Sequence, residues 1–133
     1  MNRIRSMSFL RLVLAADALS SAAMGLALVA GANILAPWTS IPRELLFEAG
    51  IALLPFALFV GFLATRANPP RVGVWAVIVV NALWVLDSVA LLFMDWIAPN
   101  LVGSIFIAAQ AVAVGVFAEL QYVGLRKQAL VAA

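Results

Sequence analysis

The chain contains no cysteine and no histidine. Without cysteine there are no disulfides and no thiolate chemistry. Without histidine the chain cannot form a histidine-ligated haem site or the usual zinc sites, and it lacks the commonest general base. Charged residues make up only 11% of the chain, and the net charge of +2 is too small to indicate a nucleic-acid partner. We therefore expect no catalytic residue, no metal and no cofactor, and we predict that the protein is not an enzyme.

The chain is instead rich in apolar side chains. Hydrophobic residues make up 66% of the 133 residues, and the mean hydropathy is +1.13. Soluble domains average about 45–50% apolar residues, and a domain this small buries a comparatively small part of its surface. The excess apolar surface therefore predicts that the lipid bilayer is the protein's main partner.

Four apolar segments predict an all-α fold, a four-transmembrane-helix up-down bundle that forms a single domain over residues 1–133. A helix needs about 20 residues to cross about 30 Å of hydrocarbon. The predicted spans are residues 9–30, 44–65, 71–94 and 100–122. The prolines in residues 31–43 predict a loop there, and the short link after the second span makes the second and third spans neighbours.

The basic residues predict the orientation of this bundle. In a four-span arrangement seven of the eight lie on one side: Arg3, Arg5, Arg11, Arg66, Arg71, Arg126 and Lys127. Only Arg43 lies on the other side. The positive-inside rule therefore predicts a multi-pass protein of the bacterial inner (plasma) membrane with both termini in the cytoplasm.

Several polar residues interrupt the apolar spans and are candidates for ligand binding or proton carrying. A carboxylate at the centre of a bilayer costs roughly 2.5–3.5 kcal/mol on an insertion scale, so intramembrane acids need partners or have a function. The candidate residues are Asp17, Asn81, Trp84, Asp87 and Gln110. Their depths along the helices predict three contacts: Asp17 with Asn81, Asp87 with Gln110, and Glu119 with Arg11.

Two stretches of the sequence resemble segments of a family of membrane proteins. Asn-Ala-Leu-Trp-Val at residues 81–85 and Ala-Glu-Leu-Gln-Tyr-Val-Gly-Leu-Arg at residues 118–126 resemble segments of small four-span integral membrane proteins of bacteria. The resemblance covers nearly the whole chain. Because no activity is attached to that family, the resemblance implies a membrane topology only.

Two functional hypotheses follow. The first is a non-enzymatic membrane protein, either an accessory or structural subunit or a binder of small molecules. The second is a small proton-coupled transporter that uses Asp17, Asp87 or both. Either protein would work as a homo-oligomer or within a larger membrane complex, and the sequence leaves substrate and partner open.

Overall fold

A computed structural model describes the backbone of residues 2–132 and the side chains of residues 9–128. Within that part the chain forms four helices and no strand, α1 (Asn2–Thr39), α2 (Arg43–Thr65), α3 (Arg71–Phe93) and α4 (Leu101–Ala132). The side chains of Arg3 and Arg5, which entered the prediction of orientation, lie outside the described part. The predicted all-α four-helix bundle is confirmed.

Each helix contains a segment long and apolar enough to cross a membrane. These segments are Phe9–Thr39, Arg43–Thr65, Arg71–Phe93 and Leu101–Gln128. Most of their residues are not buried inside the bundle, and large apolar side chains such as Leu19, Leu58 and Leu86 are more than half exposed on its outside. A surface of this kind is stable against acyl chains, so the chain is a multi-pass membrane protein.

The helices are arranged around α1. It packs against α2 on one side and against α4 on the other, and α4 packs in turn against α3. Glycines permit the closest approaches, because a Cβ atom on Gly50 would lie 2.8 Å from the carbonyl oxygen of Gly25. On the α4 side, a Cβ atom on Gly124 would lie 3.0 Å from the side chain of Leu10.

The predicted loop at residues 31–43 is wrong for most of its length, because α1 continues to Thr39 with Pro37 inside its last turn. A proline there removes only one intrahelical hydrogen bond, and the Ala- and Leu-containing turn before it favours helix. The helix ends at Thr39, and the next residue, Ser40, has a φ of 57° in the left-handed region. The backbone N–H of Asn100 then donates to the carbonyl oxygen of Thr39 at 3.0 Å.

Asn100 joins the end of α1 to the start of α4. Its side-chain amide donates to the carbonyl oxygen of Trp38 at 2.8 Å, and its side-chain oxygen accepts from the N–H of Gly103 at 2.8 Å. The second bond makes Asn100 the N-cap of α4. The carbonyl groups at the end of a helix otherwise lack partners. Asn100 therefore provides hydrogen-bond partners both at the end of α1 and at the start of α4.

The second and third helices contact each other only to a small extent. Their contact is next to the short link between them, where a Cβ atom on Gly73 would lie 2.9 Å from the side chain of Leu63. Further from this link the two helices are separated, so the ring of helices is open along one side. We call this opening the α2–α3 seam.

Candidate functional site

The first polar site is a buried cluster of Asp17, Ser21, Asn81 and Gln121. The Asp17 side chain is 1% exposed. Its Oδ2 accepts a hydrogen bond from Asn81 Nδ2 at 2.9 Å and another from Gln121 Nε2 at 2.7 Å. Its Oδ1 accepts from the Ser21 hydroxyl at 3.1 Å, and Asn81 Nδ2 also donates to Gln121 Oε1 at 3.1 Å. The predicted contact between Asp17 and Asn81 is confirmed.

These hydrogen bonds offset the cost of placing an acid inside the membrane. Side-chain hydrogen bonds within membranes contribute about 0.6 kcal/mol on average and up to about 1.7 kcal/mol, so the three bonds to Asp17 together are comparable with the roughly 2.5–3.5 kcal/mol that its insertion costs. No buried side-chain nitrogen or oxygen among the described residues lacks a partner. The cluster connects α1, α3 and α4 through one carboxylate, which is what a structural lock requires.

A second polar group joins α3 to α4 in the other half of the bundle. The indole N–H of Trp84 donates to Gln110 Oε1, and Gln110 Nε2 donates to the Ser88 hydroxyl oxygen at 2.8 Å and to the carbonyl oxygen of Ile107 at 2.8 Å. The Ser88 hydroxyl donates to the carbonyl oxygen of Trp84 at 2.8 Å. The hydrogen-bond donors of these three side chains are therefore all used within the bundle.

The predicted contact of Asp87 with Gln110 is wrong. Trp84 and Ser88 lie four residues apart on the face of α3 that meets α4, and Asp87 is rotated about 100° from Ser88 at 3.6 residues per turn. Its side chain is consequently exposed and makes no hydrogen bond to another described residue.

The predicted contact of Glu119 with Arg11 is also wrong. Gln121 faces the inside of the bundle, and Glu119, two residues earlier, points to the opposite side of α4 and is exposed. Arg11 Nε instead donates to the carbonyl oxygen of Ala64 at 3.0 Å, which connects α1 to the end of α2.

A cavity of about 290 Å³ lies beside the second polar group. All four helices contribute to its wall. The lining residues are Met24, Leu28, Ile41, Leu45, Leu46, Glu48, Ala49, Trp84, Asp87, Ser88, Leu91, Phe106, Ile107 and Gln110. Most of this wall is apolar, and the exposed lining residues Glu48 and Asp87 belong to α2 and α3, so the cavity opens on the α2–α3 seam. Asp17 does not line it.

The two carboxylates at the opening lie at similar depths. Glu48 is five residues into α2 and Asp87 is six residues before the end of α3, which places them about 8 Å and about 9 Å along the axes from the same end of the bundle. Arg43 does not neutralise Glu48, because its Nε donates to Asn33 Oδ1 at 2.7 Å and its guanidinium lies 5.0 Å from the ring centre of Phe47. No lining residue is basic.

Two residues of these sites were not predicted from the sequence. Gln121 falls near the predicted end of the fourth span, yet it is fully buried. Its spacing of eleven residues from Gln110 is about three helical turns, and this signal places both amides on one face of α4. Glu48 lies near the start of the second predicted span, and only the separation of α2 from α3 places it at a cavity.

The comparisons with known proteins do not add to this site. Neither the family models nor the curated proteins nor the solved structures contain a match to the chain.

Proposed function

We propose that the protein is a non-enzymatic membrane protein that binds a small lipophilic molecule in the cavity on the α2–α3 seam. The observation that carries this proposal is a mostly apolar space of about 290 Å³ that is lined by residues of all four helices. That volume is near the lower end of known small-molecule sites, which are mostly apolar with a few polar groups. The Trp84–Gln110–Ser88 group holds one wall in place.

The seam supports entry of the ligand from the bilayer. Helices α2 and α3 do not pack against each other beside the cavity, so an apolar molecule dissolved among acyl chains reaches it without first crossing the headgroup region. Asp17 is enclosed by three hydrogen-bonding partners and lies away from the cavity. Its role in this proposal is to hold three helices together.

The test uses quenching of Trp84 by a neutral brominated probe, bromohexanol. Replacing Trp38, Trp75 and Trp96 with phenylalanine leaves Trp84 as the sole tryptophan. Bromine quenches by contact, so binding in the cavity gives saturable quenching, whereas partitioning into the bilayer gives quenching that rises without saturation.

The control is a matched pair of substitutions on α2. Ala49→Phe places a ring in the cavity and removes the saturable quenching, whereas Ala52→Phe adds the same ring at an exposed position outside the cavity and leaves it unchanged. Quenching that never saturates, or that is insensitive to Ala49→Phe, would contradict the proposal.

We also propose the orientation of the protein, with both termini in the cytoplasm of a bacterial cell and the cavity in the outer half of the inner membrane. The link after α2, the start of α3 and the last turns of α4 carry Arg66, Arg71, Arg126 and Lys127 at one end of the bundle, and this supports the orientation. Because the chain lacks cysteine, single cysteines at Asn68 and Ser40 can be labelled with a membrane-impermeant maleimide. Labelling of Ser40→Cys but not Asn68→Cys in intact cells is expected, and the reverse would overturn the orientation.

A proton-coupled transporter is the second candidate, because Asp87, a predicted proton carrier of the third span, lines the cavity. This function requires that Asp87→Asn abolish pH-driven uptake of a bound probe into proteoliposomes while saturable binding of bromohexanol persists. Equal uptake by the variant and the original protein would exclude it.

A further inference from the structure

We infer that the cavity on the α2–α3 seam selects a lipophilic cation, a small molecule that joins an amine or quaternary ammonium group to an apolar body. This inference rests on the proposed function and names the chemical class of its ligand. It depends on the distribution of charge and of free polar groups around the cavity.

The polar side chains deeper in the cavity already make hydrogen bonds within the protein. Trp84, Ser88 and Gln110 make their hydrogen bonds to one another and to backbone carbonyl groups. The carboxylates of Glu48 and Asp87, in contrast, make no hydrogen bond or ion pair with another described residue. These carboxylates are the groups of the cavity wall that are left to interact with the polar part of a ligand.

The charge of the opening has one sign. Glu48 and Asp87 are both acidic, no basic residue lines the cavity, and Arg43 is hydrogen-bonded to Asn33 of α1. A ligand carboxylate or phosphate would be repelled, and a neutral ligand would leave both carboxylates without a partner. A cation at the opening is complementary to both, and the rings of Trp84 and Phe106 in the wall offer further cation–π attraction.

The depth and volume of the cavity favour a small molecule over a lipid. The carboxylates lie about 8–9 Å from the end of the bundle, at the level where a charged group meets the acyl chains, and the apolar wall of Met24 and Leu28 lies deeper. A space of about 290 Å³ accommodates one short apolar body. A two-chain phospholipid exceeds it, so the occupant is a compact lipophilic amine.

The experiment compares bromohexyltrimethylammonium with bromohexanol, which share the apolar body and differ in charge. Both are titrated against the Trp84-only protein in phosphatidylcholine nanodiscs. The cation is expected to bind up to about 25-fold more tightly than the alcohol, because each of the two carboxylates contributes up to about fivefold, the upper range for an exposed charge pair. Glu48→Gln and Asp87→Asn each reduce this preference, and both together remove it.

Glu44→Gln is the matched control, since Glu44 is an exposed acid one turn earlier on α2 that does not line the cavity. It should leave the preference for the cation unchanged. Equal affinity for the two probes, or equal loss of preference in Glu44→Gln, would overturn the inference and leave the proposed function standing. Absence of saturable quenching by either probe would instead refute the proposed function itself.

One further arm separates a small cation from a lipid headgroup. Phosphatidylethanolamine carries an amine, and nanodiscs that contain it present this group at high local concentration. The affinity for bromohexyltrimethylammonium is expected to stay the same in these nanodiscs. Competition by phosphatidylethanolamine would assign the site to a lipid headgroup and overturn the assignment to a small molecule.

Discussion

Substitution of Asn81 should destabilise the bundle far more than neutralisation of Asp17. Asn81→Leu removes the donor to Asp17 Oδ2 at 2.9 Å and the donor to Gln121 Oε1 at 3.1 Å. It leaves a buried carboxylate with fewer hydrogen bonds, and the loss of one bond to a charged group is worth about 1.5–3 kcal/mol. Interhelical hydrogen bonds in membranes average about 0.6 kcal/mol with a maximum near 1.7, so we expect a total loss of about 2 kcal/mol.

Asp17→Asn should cost less than about 1 kcal/mol, because the amide can satisfy the same partners. Its oxygen can occupy the position of Oδ2 and accept from Asn81 and Gln121. Its NH₂ group then takes the position of Oδ1 and donates to the Ser21 hydroxyl oxygen, which both donates and accepts. The charge is removed without leaving an unpaired group.

The assay is reversible unfolding in mixed micelles with an increasing fraction of dodecyl sulfate, followed by circular dichroism. Ala82→Leu is the control, since Ala82 is the exposed neighbour of Asn81 and the same leucine there meets only surrounding detergent. A cost for Asp17→Asn equal to that of Asn81→Leu, or no cost for Asn81→Leu, would refute the reasoning that this cluster is a structural lock.

Four other substitutions test the packing. Gly50→Ala should lower the free energy of unfolding by about 1–3 kcal/mol, because the added methyl group overpacks the α1–α2 contact. Gly31→Ala is the control and should not destabilise the protein, because the nearest atom to its Cβ would lie 3.7 Å away. Thermal unfolding measures both effects. Asn100→Ala should cost about 0.5–2 kcal/mol through the lost cap of α4, and unchanged unfolding would contradict its role. Gln110→Leu removes the hydrogen-bond partner of the Trp84 indole and should shift the emission maximum of the Trp84-only protein to shorter wavelength; an unshifted maximum would show that this bond is absent.

The four-helix architecture could be predicted from the sequence because a membrane-spanning chain has few ways to arrange its apolar segments. Four apolar segments of membrane-spanning length leave few alternatives, and the helix limits at residues 43–65, 71–93 and 101 agree with the predicted spans to within one residue. The error at residues 31–39 arose because the two prolines of residues 31–43 favoured a loop over the whole segment. Within the membrane a helix tolerates them, since an unpaired backbone is the more costly alternative.

Depth along a helix predicted the contacts only in part. It correctly paired Asp17 with Asn81, and it failed for Asp87 and Glu119 because equal depth does not specify which way a side chain points around the helix axis. The rotation of α3 and α4 is set by which residues pack, and Ser88 and Gln121 face inwards at the expense of their acidic neighbours. The cavity was not predictable, since it depends on the separation of α2 from α3.

The most direct test of the proposed binding site is a crystal structure of the protein soaked with bromohexanol, in which anomalous scattering locates the bromine atom. We expect a bromine atom inside the cavity on the α2–α3 seam, in contact with Trp84 and Leu28. The same position should be empty in the Ala49→Phe variant. Bromine found only on the outer apolar surface of the helices would contradict the claim that this cavity is a binding site.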